Sequence, residues 1–158
     1  MLEWFTTTFL GKMISTAAIS MIPVIELRGG LPFGVYNGLP VWAAFAAGVI
    51  GNMLPIPLIL LFLRHIFDWM KSFPKLGHIV EKLETKAHIK GKKVVRYRKL
   101  GLFILVAIPL PGTGAWTGAL VATVLDINWK EAILPIFLGV ITAGLIVMGI
   151  TSGIINIL

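Results

Sequence analysis

The chain has 158 residues, of which 57% are hydrophobic and only 13% are charged, and its mean hydropathy is +0.92. This composition leaves too little polar surface to coat a soluble globule, so it predicts an integral membrane protein, all-α in fold class. The absence of cysteine excludes disulfides, thiolate nucleophiles and thiolate metal sites. The three histidines lie in or beside one polar segment, so neither a metal ion nor another cofactor is expected.

Four apolar blocks follow one another along the chain. They cover residues 5–22, 41–63, 101–125 and 132–158. The second block carries no charge and is long enough to cross a hydrocarbon core of ~30 Å. Its Pro55 and Pro57 predict a kink rather than an end, because neighbouring helices can satisfy the freed carbonyls. The fourth block is also long enough to span a membrane.

The net charge of +7 is concentrated between the second and third blocks. Eleven of the fourteen Lys and Arg residues lie between Arg64 and Lys99, against three acidic residues. Nucleic-acid binding is one interpretation of a basic stretch, but the positive-inside rule explains one between apolar blocks more simply. We therefore expect residues 64–99 to form a cytoplasmic amphipathic helical segment that faces membrane lipid, with no nucleic-acid partner.

Two short segments interrupt the apolar pattern with glycine and proline. The first break is Pro23–Pro32, and the second break is Pro109–Gly118. In a bilayer both would leave backbone N–H and C=O groups without helical partners, which is tolerated only inside protein or along a cavity. Paired breaks of this kind in the two halves of a hydrophobic chain indicate the binding site of a transporter.

The two halves can be laid over each other. Setting Pro23 on Pro111 also places Gly30 on Gly118. The pattern predicts an inverted repeat in which each half has a re-entrant helical hairpin followed by a transmembrane helix. The whole chain, 1–158, would form one membrane domain, with repeat one at about 5–63 and repeat two at about 100–158. A model in which both broken segments cross the membrane completely remains open.

Glu26 and Arg28 are the charged site candidates of the first break. A charged side chain at the bilayer centre costs at least ~2.5 kcal/mol unless it is paired or hydrated. One interpretation is a structural ion pair that locks the hairpin, or a solvated pair at the interface. The other is that Glu26 exchanges a proton or binds a sodium ion, while Arg28 holds an anionic substrate group or neutralises Glu26.

The second break has no charge but offers hydroxyls and glycine amides. A helix that begins near Gly114 would direct free N–H groups into the site, which suits an anion. The alternative is close helix packing through the small residues Gly114, Gly118 and Ala122. The predicted ion- and substrate-binding residues are Glu26, Arg28, Gly29, Gly30, Pro32, Asn52, Pro109, Pro111, Gly112, Thr113, Gly114, Trp116 and Thr117.

Both breaks also carry a resemblance. The stretches Glu26–Pro32 and Pro109–Gly118, with the basic segment between them, are similar to the prokaryotic family of small multidrug export proteins. The similarity covers nearly the whole chain and implies an exporter in the plasma membrane that crosses it several times. A more distant resemblance, carried by Arg98–Phe103 and Pro109, is to the DedA and VTT-domain proteins. These have two re-entrant hairpins packed head to head and are implicated in moving lipids and in proton coupling.

Two arginines of the DedA pattern are absent, because Val106 and Pro111–Thr113 occupy their positions. Arg28 is then the cation expected at the membrane centre. Three hypotheses stay open: an ion-coupled secondary transporter of a small solute, a translocase or scramblase of lipids or lipid-linked phosphates, and a membrane scaffold without transport. No nucleotide-binding motif and no pattern of catalytic residues is found, so no enzyme is expected. A homodimer is expected, because a half-hairpin exposed to lipid would leave backbone groups unsatisfied.

Overall fold

The structure is a computed structural model, and it describes residues 7–71, 91–110 and 112–157. The described part of the chain is helical throughout, apart from short turns. Its helices are α1 (Phe9–Met21), α2 (Glu26–Tyr36), α3 (Val41–Met53), α4 (Ile56–Lys71), α5 (Gly91–Ala107), α6 (Ala115–Val124) and α7 (Trp129–Ile157).

Helices α1 and α2 form an antiparallel hairpin. The Thr8 hydroxyl begins α1 by accepting a hydrogen bond of 3.1 Å from Gly11 N, which satisfies one of the free amides at a helix start. Along the hairpin, Ser20 packs on Gly30 and Thr16 packs on Gly34. Glycine at these contacts lets the two backbones approach closely, as is usual between membrane helices.

Helices α3 and α4 form one apolar span, Val41–Leu63, that is long enough to cross a membrane. Helix α3 ends at Met53 and α4 begins at Ile56, yet the Leu54 N–H still donates to the Ile50 carbonyl and Leu54 keeps helical dihedral angles of −58° and −44°. Proline lacks the N–H that would continue the helix. The span therefore continues through Pro55 with a local interruption, as the sequence predicted.

Helices α5 and α6 form the second antiparallel hairpin, and α7 follows it. Gly118 of α6 packs against Leu102 and Val106 of α5. At the other end of this hairpin, the Arg98 guanidinium donates to the Leu125 carbonyl over 3.2 Å. Residues Trp129–Gly153 of α7 form the second candidate span.

The core lies where the hairpins meet the two spans. Helix α2 packs on α1, α3 and α7, while α6 packs on α4, α5 and α7. The interior consists of aliphatic residues with many alanines, such as Leu27, Leu31, Ala119 and Ile136. This packing places the start of α2 beside the start of α6.

Two helices extend further into the basic segment than the sequence predicted. Helix α4 continues to Lys71, and α5 begins at Gly91 rather than near residue 100. The first part of α5 is basic and its second part is apolar, so one helix connects the polar segment to the core. The expectation of amphipathic helices lying on the membrane falls mainly on residues 72–90, which are outside the described part.

Candidate functional site

A strained turn between α1 and α2 positions Glu26. The backbone φ is +75° at Val24 and +49° at Glu26, values that are unusual for residues other than glycine. A residue in such a backbone conformation lowers stability by about 1–3 kcal/mol, and these residues are concentrated at functional sites in proteins. The turn directs the Glu26 side chain inward, where the residue is only 3% exposed.

The Glu26 carboxylate binds the start of α6. Its Oε1 accepts a hydrogen bond of 3.2 Å from the Trp116 backbone N–H, and the Ala115 N–H also contributes. Gly114, with φ +128°, begins α6, and a Cβ there would overlap the Glu26 carboxylate. The carboxylate thus occupies the position that favours an anion at a helix N-terminus, where free amides and the helix dipole both stabilise negative charge.

Arg28 binds the end of α5 and the loop that follows it. Its guanidinium donates to the carbonyls of Leu110 and Ile108, the latter over 3.4 Å. It also donates to the Thr113 hydroxyl over 2.9 Å. The carbonyls at a helix end carry partial negative charge, which a cation stabilises. The charges of Arg28 and Glu26 attract each other, but the two side chains hydrogen-bond the second break and not each other.

Thr113 organises the loop that Arg28 binds. The Leu110 N–H donates to its hydroxyl over 3.2 Å, and the hydroxyl lies 2.7 Å from the Ile108 carbonyl and 2.8 Å from the Leu110 carbonyl. A threonine hydroxyl has one proton and two acceptor lone pairs, so it can bind Arg28 and the loop backbone at once.

Asn52 adds an amide to the same site. It is 3% exposed, its side chain interacts with the Glu26 carboxylate, and both residues line a small cavity with Val140 and Ala143. The cavity has a volume of about 10 Å³, which is close to the space that one water molecule needs. Asn52 is the middle residue of the span Val41–Leu63, and Val140 and Ala143 lie near the middle of Trp129–Gly153. The site is therefore at the centre of both candidate spans.

Two buried polar atoms at the site have no hydrogen-bond partner among the described residues. They are the Asn52 Oδ1 and the Trp116 Nε1. An unsatisfied buried polar group costs roughly 1–3 kcal/mol, and one in a native structure calls for an explanation. Both belong to residues that contact Glu26 through other atoms. Asn52 also lines the cavity beside the carboxylate, so its oxygen is available there to bind a polar group.

The other predicted site residues have different surroundings. Gly30 contacts Ser20 of α1, and a Cβ at Gly29 would contact Ile25. Pro32 lies inside α2. These three residues shape the first hairpin and are not among those that line the cavity around Glu26.

The second break divides between loop and helix. The Thr117 hydroxyl donates to the Gly112 carbonyl over 3.0 Å, and Pro109 is a half-buried loop residue. Pro111 lies outside the described residues. Gly118 and Ala122 are buried against neighbouring helices. The sequence left open whether these small residues form an anion site or pack helices closely. Both occur, because Gly114 contacts a carboxylate and the next two turns of α6 pack closely against neighbouring helices.

Sequence reasoning named Asn52 and Thr113, which contact Glu26 and Arg28 through their side chains, but it missed the backbone partners of the two charged residues. These are backbone amides and carbonyls, which have no signature in side-chain identity. It also missed Thr16 and Ser20, which are fully buried in α1. Their spacing of one helical turn matches the spacing of Gly34 and Gly30, and this match could have predicted the contact between the two helices. No group of three or more His, Cys, Asp or Glu among the described residues could hold a metal ion.

Comparison with known proteins gives a family. Residues 26–146, which include the first break from Glu26 onward and the whole of the second break, match the family described as "Putative small multi-drug export protein". No curated protein and no solved structure matches the chain. The match covers well over half of the sequence, and the two apolar spans agree with a membrane protein. The chain belongs to this family of small multi-drug export proteins.

Proposed function

We propose that the protein is an ion-coupled secondary transporter that exports a small solute, and that Glu26 carries the coupling ion, a proton or sodium. The observation that supports this most is the contact between the Glu26 carboxylate on the first break and the start of α6 on the second. A side chain that can change charge thus joins the two halves at the centre of both spans.

The charge of Glu26 determines how strongly this contact holds. An ionised carboxylate accepts hydrogen bonds from the Trp116 and Ala115 amides and is attracted by the helix dipole. When a proton or a sodium ion neutralises it, this attraction falls. Hydrogen bonds to charged groups contribute roughly 1.5–3 kcal/mol, enough to change the balance between two conformations by a factor of ten or more. Binding of the ion would then favour separation of the hairpins.

The unsatisfied amide oxygen of Asn52 supports ion exchange at this position. A protonated Glu26 becomes a hydrogen-bond donor, and an amide can offer either its NH₂ group or its oxygen. Asn52 can therefore serve the ionised carboxylate through its NH₂ group and the protonated form through its oxygen. A sodium ion would use the same amide oxygen together with the carboxylate, since hard cations prefer oxygen ligands.

The packing supports the inverted repeat on which alternating access would rest. The hairpin α1–α2 packs on α3 of its own half, and the hairpin α5–α6 packs on α7 of its own half. Across the halves, α2 contacts α7 and α6 contacts α4. Exchanging the halves leaves this pattern of contacts unchanged. We propose that both hairpins are re-entrant, in a cell membrane that the chain crosses several times.

The test is ion flux in liposomes that contain the purified protein. Under an imposed pH or sodium gradient, we expect the wild type to move the ion and Glu26→Gln to lose this movement. Glutamine keeps an oxygen that can accept the Trp116 N–H, so the fold should persist, and thermal unfolding followed by tryptophan fluorescence checks this. The matched control is Asp126→Asn at an exposed turn, where the φ of +51° suits asparagine.

The outcomes separate the functions that the sequence left open. Flux that persists in Glu26→Gln would show that another group carries the ion. A fluorescent-lipid scrambling assay on the same vesicles tests the translocase alternative. Lipid movement without ion movement would overturn the proposal in favour of a lipid translocase. If neither ions nor lipids moved, the result would favour a scaffold.

A further inference from the structure

A second surface with mixed chemistry lies between α5 and α7, away from the Glu26 site. This α5–α7 groove has a volume of about 680 Å³. Its floor and walls are apolar and include Leu100, Phe103 and Leu134, and its rim carries Lys99, Lys130 and Glu131. Apolar side chains below and charged side chains above are the arrangement expected where a protein meets both the interior and the surface of a bilayer.

The charged rim marks where both helices change from polar to apolar. In α5 the basic residues end at Lys99 and the apolar run begins at Leu100. In α7 the charged residues Lys130 and Glu131 follow Trp129 and precede the apolar span. A tryptophan at this position is typical of the membrane interface. The groove therefore crosses the interface level on the side of the basic segment.

The rim offers positive charge to a ligand. Lys99 forms an ion pair of 2.8 Å with Glu131, and the Lys130 ammonium lies 5.5 Å from the centre of the Trp129 ring. Both lysines and the acid are largely exposed, so the pair between Lys99 and Glu131 contributes little stability. One acid against two lysines leaves a net positive rim beside the basic start of α5.

We propose that the α5–α7 groove binds an anionic glycerophospholipid, with the phosphate at Lys130 and Lys99 and an acyl chain along Leu100, Phe103 and Leu134. Anionic lipids attract basic residues near the membrane surface by about 1 kcal/mol per residue, and basic pockets between membrane helices bind their head groups. A second copy of the chain is a poorer occupant, because it would bring more positive charge to a chain of net charge +7.

The experiment uses the full chain purified in a neutral detergent. Native mass spectrometry counts bound lipid during titration with dioleoyl phosphatidylglycerol and, separately, dioleoyl phosphatidylcholine. We expect the wild type to bind phosphatidylglycerol severalfold more tightly. Lys130→Gln should weaken this binding about fivefold, the factor that corresponds to one basic residue near a lipid surface. Glu131→Gln should strengthen it severalfold, because it removes a negative charge and releases Lys99 from its ion pair.

A lysine at the far end of the molecule provides the control. Lys12 lies beside Gly38, in the turn between α2 and α3, so Lys12→Gln should leave the binding unchanged. The proposal is overturned by equal affinity for the two lipids, by an equal effect of Lys12→Gln, or by weaker binding in Glu131→Gln. A concentration-dependent dimer that excludes lipid and that Lys130→Gln or Glu131→Gln disrupts would assign the groove to a second copy instead. None of these outcomes depends on ion flux at Glu26.

Discussion

The first break carries an acid and an arginine, whereas the second carries no charged residue. The first break contacts the second through charged side chains, and the second binds them mainly with its backbone and also with the Thr113 hydroxyl. Glu26 binds the amides that begin α6, and Arg28 binds the carbonyls that follow α5. Each charge thus neutralises the partial charge of the helix end it meets. The comparison shows that the two breaks form one site whose chemistry is divided between them.

The difference also explains why charge is tolerated here. A charged group inside a membrane needs compensation from partners, and a broken helix needs partners for its free backbone groups. Opposing the two breaks meets both requirements at once. Each break supplies partners that the other needs, so a substitution that disturbs their contact should lower the stability of the folded protein.

The largest effect is expected at Gly114. Substitution by alanine forces a side chain into a backbone with φ +128° and against the Glu26 carboxylate. The backbone strain costs roughly 1–3 kcal/mol, and displacing a buried charge from its partners costs roughly 3–5 kcal/mol. We expect Gly114→Ala to abolish or severely reduce the yield of folded protein, measured by size-exclusion chromatography and thermal unfolding in detergent.

Gly112→Ala is the matched control for this prediction. Gly112 also has positive φ, +82°, but a Cβ there would meet no atom within 4 Å. The control therefore introduces backbone strain without touching Glu26, and we expect a loss of roughly 1–3 kcal/mol. Equal losses in the two variants would mean that strain alone explains Gly114, and the contact between the breaks would then matter little for stability.

A smaller effect is expected at Gly30 and Gly118, the pair that the predicted internal repeat superimposes. Both pack against the preceding helix of their own hairpin, Gly30 on Ser20 and Gly118 on Val106. Alanine at Gly30 would overlap the Ser20 hydroxyl, while alanine at Gly118 would lie 2.6 Å from the Val106 Cγ2. Overpacking typically costs 1–3 kcal/mol, so each substitution should lower thermal stability by about that amount.

A second substitution distinguishes overpacking from other causes at Gly30. Because Ser20→Ala removes the overlapping oxygen, Gly30→Ala should cost less in the Ser20→Ala background than alone. A double-mutant cycle on thermal unfolding measures this coupling. Additive losses would show that the hairpin contact is not limiting at Gly30, and the correspondence between the two hairpins would then lose one of its supports.

The sequence predicted the parts of this site but not their connection. The spans, the interruption of the helix at Pro55 and a helix beginning near Gly114 follow from local composition, because proline and glycine act on the backbone nearby. The anion at that helix start turned out to be Glu26 of the same chain. Such a contact between distant residues leaves no periodic pattern. The role of the site in transport stays a prediction.

Two further features lie beyond local reasoning for definite physical reasons. The positive φ at Val24 and Glu26 runs against the preference of both residues, so tertiary contacts must impose it. The sequence suggested an ion pair for Glu26 and Arg28, but it could not show that both side chains also hydrogen-bond the second break, because helix ends offer partial charges that residue types do not reveal. The predicted export role and ion coupling require the protein to change conformation, and amino-acid composition does not describe such a change.

The smallest effect concerns Thr113, which contacts Arg28 from within the second break. Thr113→Val keeps the shape of the side chain but removes the hydroxyl that accepts from Arg28 and from the Leu110 N–H. A hydrogen bond contributes roughly 0.5–1.5 kcal/mol, so we expect a loss of about 1 kcal/mol, at the low end of the range for the glycine substitutions. Thr117→Val removes a single bond to the Gly112 carbonyl and should cost less than half as much.

Thermal unfolding of the two threonine variants, alone and combined with Arg28→Lys, decides how the arginine holds the loop. Lysine keeps the positive charge but lacks the planar fork that reaches several acceptors. If Thr113→Val costs nothing further in the Arg28→Lys background, the hydroxyl acts only as a partner of the guanidinium. If its cost is unchanged, Thr113 stabilises the loop by itself, and Arg28 then binds a backbone shape that the second break adopts without it.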